Sequence, residues 1–426
     1  MKVFLDTVGC RLNQSEIEKY ARQFRMAGHT LVAELAEAEL VVLNTCAVTA
    51  SAEADSRQKI RQAGRDGSRQ VAVTGCWSTL HPAQAAELPG VRWVTPNAGK
   101  DRLVAQVLGL PPEHFDCLLL EREPLPGRRM RTRAFIKAQD GCDNRCAFCL
   151  TTLARGHSRS LPEAAVCQDI QAARQGGAQE AVLTGVHLGA WGQDLTPPRR
   201  LHSLVRTVLA EMDMPRLRLS SLEPWDLDEA FFALWQDRRL CRHLHLPLQS
   251  GCAATLRRMA RRTTPPAYRK LVSAARQAMP GVSITTDILV GFPGESEAEF
   301  SESLDFVREM EFAGGHVFVF SERPGTLAAR LPGTVPHEVR KTRSAQMRQA
   351  LEASAVRYQQ HFLGQEMGVL WESALSLGSQ GWEMSGLTDN YLRVTATAPA
   401  ELWNQITPVH LEQVRESGLL GSLGGA

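Results

Sequence analysis

The 426-residue chain reads as an α/β protein in three parts: an N-terminal parallel α/β domain, a central partial (β/α)6 TIM-type barrel and a small C-terminal β-barrel. Three observations predict this. Short apolar runs alternate with amphipathic stretches up to residue 125, strand-then-helix units recur through 126–360, and helical periodicity gives out in 361–426. A chain this long exceeds one ordinary core, so several domains are expected.

In the first part the strands are VFLDTVG (3–9), ELVVLNT (39–45) and QVAVTG (70–75), the first two followed by NQSEIEKYARQFRMAG and TASAEADSRQKIRQAG. Alternation of this kind builds a parallel sheet. After a polar linker, PGRRMRTR (126–133), the candidate strands are 134–141, 180–189, 216–224, 243–251, 282–294 and 315–325, with amphipathic helices between them. Six units suit an open barrel better than a closed eightfold one. A long charged helix is expected over 336–361, then a glycine-bearing β region of oligonucleotide-binding size whose last residues, GLLGSLGGA, fray.

Hydrophobic residues at 43% and charged residues at 22% are those of a globular chain. The N-terminus carries Asp6 early and no long apolar core, and no run reaches membrane-spanning length, so a cytoplasmic protein with no membrane partner is expected. Arginines cluster at 128–133, 257–262 and 340–343. They are either solvated faces or contacts to the phosphates of a nucleic acid.

Ten cysteines in such a chain argue for metal or redox chemistry rather than disulfides. Cys142, Cys146 and Cys149 form C-x3-C-x2-C directly after the first barrel strand. Three thiolates on a short loop can hold three corners of a cubane cluster and leave one iron open. A structural zinc would want a fourth ligand, which His157 could supply. Cys10, Cys46 and Cys76 each end one N-terminal strand. Parallel strand ends share one sheet edge, so these three converge there, as a second cluster site or as core cysteines by coincidence. Cys117, Cys167, Cys241 and Cys252 show no pattern and read as packing residues.

With these residues in view, the sequence resembles the radical S-adenosylmethionine methylthiotransferases over nearly its whole length. GCRLNQSE, LNTCAVT and TGCW are similar to that family's N-terminal domain, and ARGHSRS, TDILVGFPGE and VFVFSERPGT continue the likeness. LTGVHLGAWG, LSSLEP and RHLHLPLQSG resemble most the MtaB-type subfamily, which modifies threonylcarbamoyladenosine beside the tRNA anticodon. GLTDNYLRV resembles the RNA-binding TRAM module.

The resemblance implies two [4Fe-4S] clusters and S-adenosyl-L-methionine as cofactors. Cys142, Cys146 and Cys149 match the ligands of the radical-generating cluster, and Cys10, Cys46 and Cys76 those of an auxiliary cluster that handles sulfur. It implies that one S-adenosylmethionine methylates sulfur and a second yields a 5′-deoxyadenosyl radical that activates adenine C2. The partners implied are tRNA carrying threonylcarbamoyladenosine and a reducing donor such as flavodoxin or ferredoxin. Alternatives are isopentenyladenosine tRNA, a ribosomal-protein aspartate, or a non-catalytic iron–sulfur RNA-binding or sensor protein.

Strand ends in a barrel also nominate contacts for the cofactor: Thr184 and Gly185, Ser221 and Glu223, Gln249 and Ser250, with His187 and Arg155 nearby for substrate or a methionine carboxylate. Ordinary strand-end hydrogen bonding is the competing reading at each. GFPGE (291–295) reads as a turn and helix start. Two features depart from the family pattern. Thr152 stands where a proline often follows the cluster cysteines, and 365–426 holds two arginines against seven acids, about −5, a poor phosphate surface. Phosphate grip is therefore expected from the linker, the barrel arginines and the 340–357 helix. Trp371, Trp382 and Trp403 are core residues or base-stacking platforms.

Overall fold

The computed structural model describes residues 1–115, 122–127 and 131–424. Cys117, Arg128 and Arg129 lie outside the described residues. Among the described residues no helix is long and apolar enough to cross a membrane.

The N-terminal sheet is wholly parallel. Its strands are β1 (Lys2–Thr7), β2 (Thr30–Leu31), β3 (Leu40–Thr45), β4 (Gln70–Gly75) and β5 (Val91–Thr95), in the order β2-β1-β3-β4-β5. The central strands β1, β3 and β4 are the three apolar runs. β3 is buried along its full length, which is why it reads as a continuous LVVLNT rather than an alternating pattern. Helices α1 (Arg11–Met26), α2 (Ala50–Gly64) and α3 (Cys76–Leu80) follow β1, β3 and β4. Thr49 caps α2 by accepting from the Ala52 amide.

All six expected barrel strands form: β6 (Arg133–Lys137), β7 (Glu180–Thr184), β8 (Arg216–Leu219), β9 (His243–His245), β10 (Ser283–Val290) and β11 (Gly314–Val319). They run parallel as β8-β7-β6 and β9-β10-β11, joined by the bridges Leu217–Leu240 and Ser221–His245. The barrel is open between β6 and β11. Helix α1 packs beside β6 and so brings the N-terminal domain against that opening. Helix α4 (Thr151–Arg155) follows the loop after β6, and α5 (His337–Gln360) is the long charged helix expected after the barrel. The GFPGE segment is structural, as expected: Glu295 accepts from the Gly291 amide at 2.6 Å and pairs with Arg343 at 2.9 Å.

The tail closes into a five-stranded barrel of β12 (Glu366–Gly378), β13 (Gly381–Thr388), β14 (Arg393–Ala398), β15 (Ile406–Arg415) and β16 (Gly418–Leu423), ordered β12-β13-β14-β16-β15. The expected fraying of GLLGSLGGA is corrected for Gly418–Leu423, while Gly425 and Ala426 lie outside the described residues. Gly418–Leu423 pairs with two strands at once and buries Leu419, so it is the stave that closes the barrel. Trp371 is a core residue whose indole donates to Thr407 at 2.7 Å.

Buried charge fastens the tail to the central barrel. Arg218 forms a two-pronged pair with Glu180 (2.6 and 2.9 Å) and donates to the carbonyls of Asp389 (2.9 Å) and Thr388 (3.3 Å). Arg242 pairs with Asp389 and Arg133 with Glu372, each at 2.7 Å. Acids of the tail are thus partly spent on docking. Part of the arginine clusters needs a matching correction, while Arg131, Arg257, Arg262 and Lys341 stay exposed. Arg133, Arg258, Arg261 and Arg343 all hold carboxylates, and Arg340 donates to the Phe320 carbonyl. These side chains fix the fold instead of presenting a phosphate surface.

Burial disfavours charge on Glu180, but Arg218 outweighs it and holds the carboxyl below the ordinary range. Glu180→Gln should therefore strand a buried guanidinium and cost about 3–5 kcal/mol in urea unfolding at pH 7. A depressed carboxyl stabilises above its unfolded value and loses that contribution as pH falls through the native one. The gap between wild type and variant should accordingly persist down to roughly pH 4 and narrow only below it.

Candidate active site

Topology gathers the first triad. Cys10 immediately precedes α1, Cys46 follows β3 and Cys76 opens α3, so all three sit at the carboxyl edge of the parallel sheet. Burial pushes the Cys46 thiol up to about 11, and nearby Cys10 and Cys76 push the same way. Two glycines make the approach possible. A Cβ at Gly9 (φ +101°) would lie 2.6 Å from Cys46 Sγ, and one at Gly75 (φ +100°) 2.3 Å from the Thr45 carbonyl. Polar donors meet the sulfurs: Arg155 Nη2 lies 3.9 Å from Cys10 Sγ, and Asn97 Nδ2 lies 3.6 Å from Cys76 Sγ.

The second triad lies on the loop after β6. Cys142 is buried and Cys146 and Cys149 are half-buried. Gly141 enters the loop at φ +72°, where a Cβ would strike the His157 carbonyl at 1.9 Å. The Asn144 amide donates to Cys142 Sγ at 3.4 Å, and Arg261 Nη1 reaches Cys146 Sγ at 3.6 Å while gripping Glu223 at 2.6 and 3.1 Å. Thr152, at the position where proline is usual, turns its hydroxyl to Cys149 Sγ at 3.7 Å. His157 is exposed and held by Asp143 at 2.7 Å. Among the described residues no three His, Cys, Asp or Glu side chains converge tightly enough for a single metal ion. A cubane spaces its thiolates more widely than one ion does, and cationic or amide donors beside the sulfurs suit an electron-rich cluster. The donor sets fit [4Fe-4S] clusters.

Helix α4 runs from the second triad to the first. Arg155 at its end is buried, with Nη1 donating to Asp140 (2.8 Å) and Glu16 (3.4 Å) and Nη2 to Asn13 (2.7 Å). Lys100, equally buried, bonds Glu16 and lies 2.9 Å from Asp140. This corrects the expectation that Arg155 meets substrate or a methionine carboxylate, because its donors are consumed at the domain junction. His187 is also enclosed, between Asp226 (2.6 Å) and Asn144 (3.3 Å). Burial opposes its charge, yet the bonds to Asp226 and Cys142 prevail and push it up to about 10.

Between the N-terminal domain and the barrel lies a cleft of about 680 Å³. Cys10 and Cys46 line one side, and Thr184, Gly185 and Ser221 the other. Glu223 stands beside the second triad through Arg261. Gln249 holds a left-handed turn at φ +73° bonded to Asp287, and Ser250 is buried against Ser303 at 3.4 Å. The structure thus brings three of the six nominated contacts to the cleft, and Glu223, Gln249 and Ser250 are not part of its lining. Residues that sequence reasoning did not nominate also line it, namely His243, His245, Thr285, Asp287 and Tyr391. Alternation of polar side chains inside HLH and TTD was the available signal.

Comparison with known proteins follows the same division. Residues 2–95 match the family described as Uncharacterized protein family UPF0004, and 136–307 match the Radical SAM superfamily. A Bacillus subtilis relative named threonylcarbamoyladenosine tRNA methylthiotransferase MtaB is 31% identical over 96% of this chain and 93% of its own. One of the same name from Thermotoga maritima is 34% identical over 92% and 90%. The chain belongs to the radical SAM methylthiotransferase family. Another relative, from Caldicellulosiruptor saccharolyticus, is named tRNA-2-methylthio-N(6)-dimethylallyladenosine synthase and is 33% identical over 85% and 80%. Among solved structures, the radical S-adenosylmethionine methyltransferase TsrM of Kitasatospora setae shares the fold, with a TM-score of 0.60 at 17% identity over 77% of this chain and 75% of that one. As a radical SAM methylthiotransferase the chain is a transferase whose cofactors are S-adenosylmethionine and [4Fe-4S] clusters.

Gly9→Ala should disable the first triad alone, because neither the positive φ nor the 2.6 Å contact with Cys46 tolerates a methyl group. Anaerobic reconstitution should then yield about four irons per chain instead of about eight.

Proposed function

We propose that this enzyme installs a methylthio group on C2 of N6-threonylcarbamoyladenosine at position 37 of tRNA, using two molecules of S-adenosylmethionine. The observation that carries the reading is the single cleft, lined by Cys10 and Cys46 on one wall and by barrel strand ends on the other. Two relatives named for this substrate match over nine-tenths of the chain. The runner-up substrate is dimethylallyladenosine, favoured by a relative of similar identity.

In this reading Cys142, Cys146 and Cys149 would hold one cluster and Cys10, Cys46 and Cys76 the other. When bound, the first supplies reductive cleavage of S-adenosylmethionine and the second supplies sulfur for transfer. The chain's own residues supply position and shelter. Gly185 and Thr184 offer a close backbone edge for the methionine moiety: Thr184 is tied to the Ile136 carbonyl at 3.0 Å, and Gly185 packs against Gln139. Arg261 fixes Glu223 with two bonds, so this carboxylate is held rigid beside Cys146, where it can accept from a ribose hydroxyl. Asp226 and Asn144 hold His187 against the cluster loop. The N-terminal domain covers the open side of the barrel and limits water at the reacting carbon.

An electron must enter from outside, so a one-electron donor such as flavodoxin or ferredoxin is the second partner, and the cytoplasm, where tRNA resides, is the place of work. The test is mass spectrometry of tRNA nucleosides from a strain lacking the chain. Loss of the methylthiolated nucleoside with accumulation of threonylcarbamoyladenosine is expected; an unchanged level would refute the reading.

A further inference from the structure

The floor of the cleft carries polar atoms that the fold leaves unsatisfied. Ser220 Oγ, His243 Nδ1 and Asp287 Oδ1 are buried with no hydrogen-bond partner, and all three residues line this one cavity. Ser220 and His243 are more than nine-tenths buried. Their neighbours fix them in place. His243 Nε2 lies 3.1 Å from Thr285 Oγ1, His245 Nδ1 lies 3.0 Å from the same hydroxyl, and His245 Nε2 lies 3.3 Å from Asp287 Oδ2. Buried polar groups are normally paired, so three orphans facing one cavity point to a polar ligand.

A cation completes the floor. Arg11 lines the cleft and donates to the Tyr391 hydroxyl at 3.2 Å, and among the described residues it has no carboxylate partner. Its neighbours Arg133 and Arg218 are already paired with Glu372 and Glu180. Tyr391 comes from the loop between β13 and β14, holds φ +68°, and stacks on His243 at 4.5 Å and 13°. The acidic C-terminal barrel thus contributes a wall of the cleft.

We propose that this floor is the pocket for the N6 substituent of the target adenine, and that it selects a substituent bearing a carboxylate and a hydroxyl. Arg11 takes the carboxylate, and Ser220, His243 and Asp287 take the hydroxyl and amide groups. An apolar substituent would leave all of these unpaired, which is how a hydrogen-bonding site rejects an analogue that cannot answer it. The inference rests on the threonylcarbamoyladenosine reading and names the residues that would enforce it.

The test measures affinity and methylthiolation by the cluster-loaded protein on anticodon-arm RNA carrying threonylcarbamoyladenosine, its methyl ester, or dimethylallyladenosine. Wild type should bind the acid at least about tenfold more tightly than the ester. In Arg11→Gln that preference should fall towards unity. Iron content of the variant reports whether the adjacent Cys10 site survives. His243→Phe, remote from both triads in sequence, should weaken the two threonylcarbamoyl RNAs and spare the dimethylallyl RNA. If wild type modifies the threonylcarbamoyl RNA, Arg11→Gln keeps the acid preference and His243→Phe binds the threonylcarbamoyl RNAs as tightly as wild type, the pocket assignment is overturned while the substrate reading stands. If wild type modifies only the dimethylallyl RNA, the substrate reading itself falls, and the pocket with it.

Discussion

The architecture turns on a buried knot of charge at the junction of the N-terminal domain and the barrel. Glu16 from α1, Asp140 from the strand end before the cluster loop, Lys100 and Arg155 bond one another with almost no exposure to solvent. Such groups are costly to bury and tolerable only when every partner is present. Burial works against ionised Glu16, and Lys100, Arg155 and Lys137 together overcome it. The knot therefore ties a helix that begins beside Cys10 to a loop that carries Cys142, and it admits little sliding between them.

Around that junction each part contributes something different. The parallel sheet delivers three cysteines to one edge, with glycines at 9 and 75 allowing close approach. The open barrel delivers strand ends and the second triad. The tail, short of positive charge, is drawn in by Arg216, Arg218 and Arg242, and its Tyr391 reaches the cleft. Some arginines that looked in sequence like a nucleic-acid surface serve as internal struts, whereas Arg131, Arg257, Arg262 and Lys341 stay exposed.

Much of this was legible in the sequence because the signals are local or periodic. The six cysteines stand at strand ends or at a fixed spacing, and strands such as LVVLNT and SITTDILV declare themselves by unbroken apolar or alternating runs. Short elements escaped, since Thr30–Leu31 has too few residues to show a period. The fraying expected of GLLGSLGGA failed over Gly418–Leu423 because barrel closure is a long-range pairing that composition does not encode. The role of Arg155 was misjudged for the same reason. Its partners Glu16 and Asp140 lie 139 and 15 residues away, and only the docking of two domains shows that they meet.

If the knot is what holds the two triads in register, loosening it should uncouple the reaction without emptying the sites. The direct measurement is methylthio product formed per S-adenosylmethionine cleaved in Lys100→Met, alongside iron content. The account predicts about eight irons retained and a ratio reduced by up to about 100-fold, as expected of a misplacement on the order of 1 Å. An unchanged ratio in a fully loaded variant would contradict it.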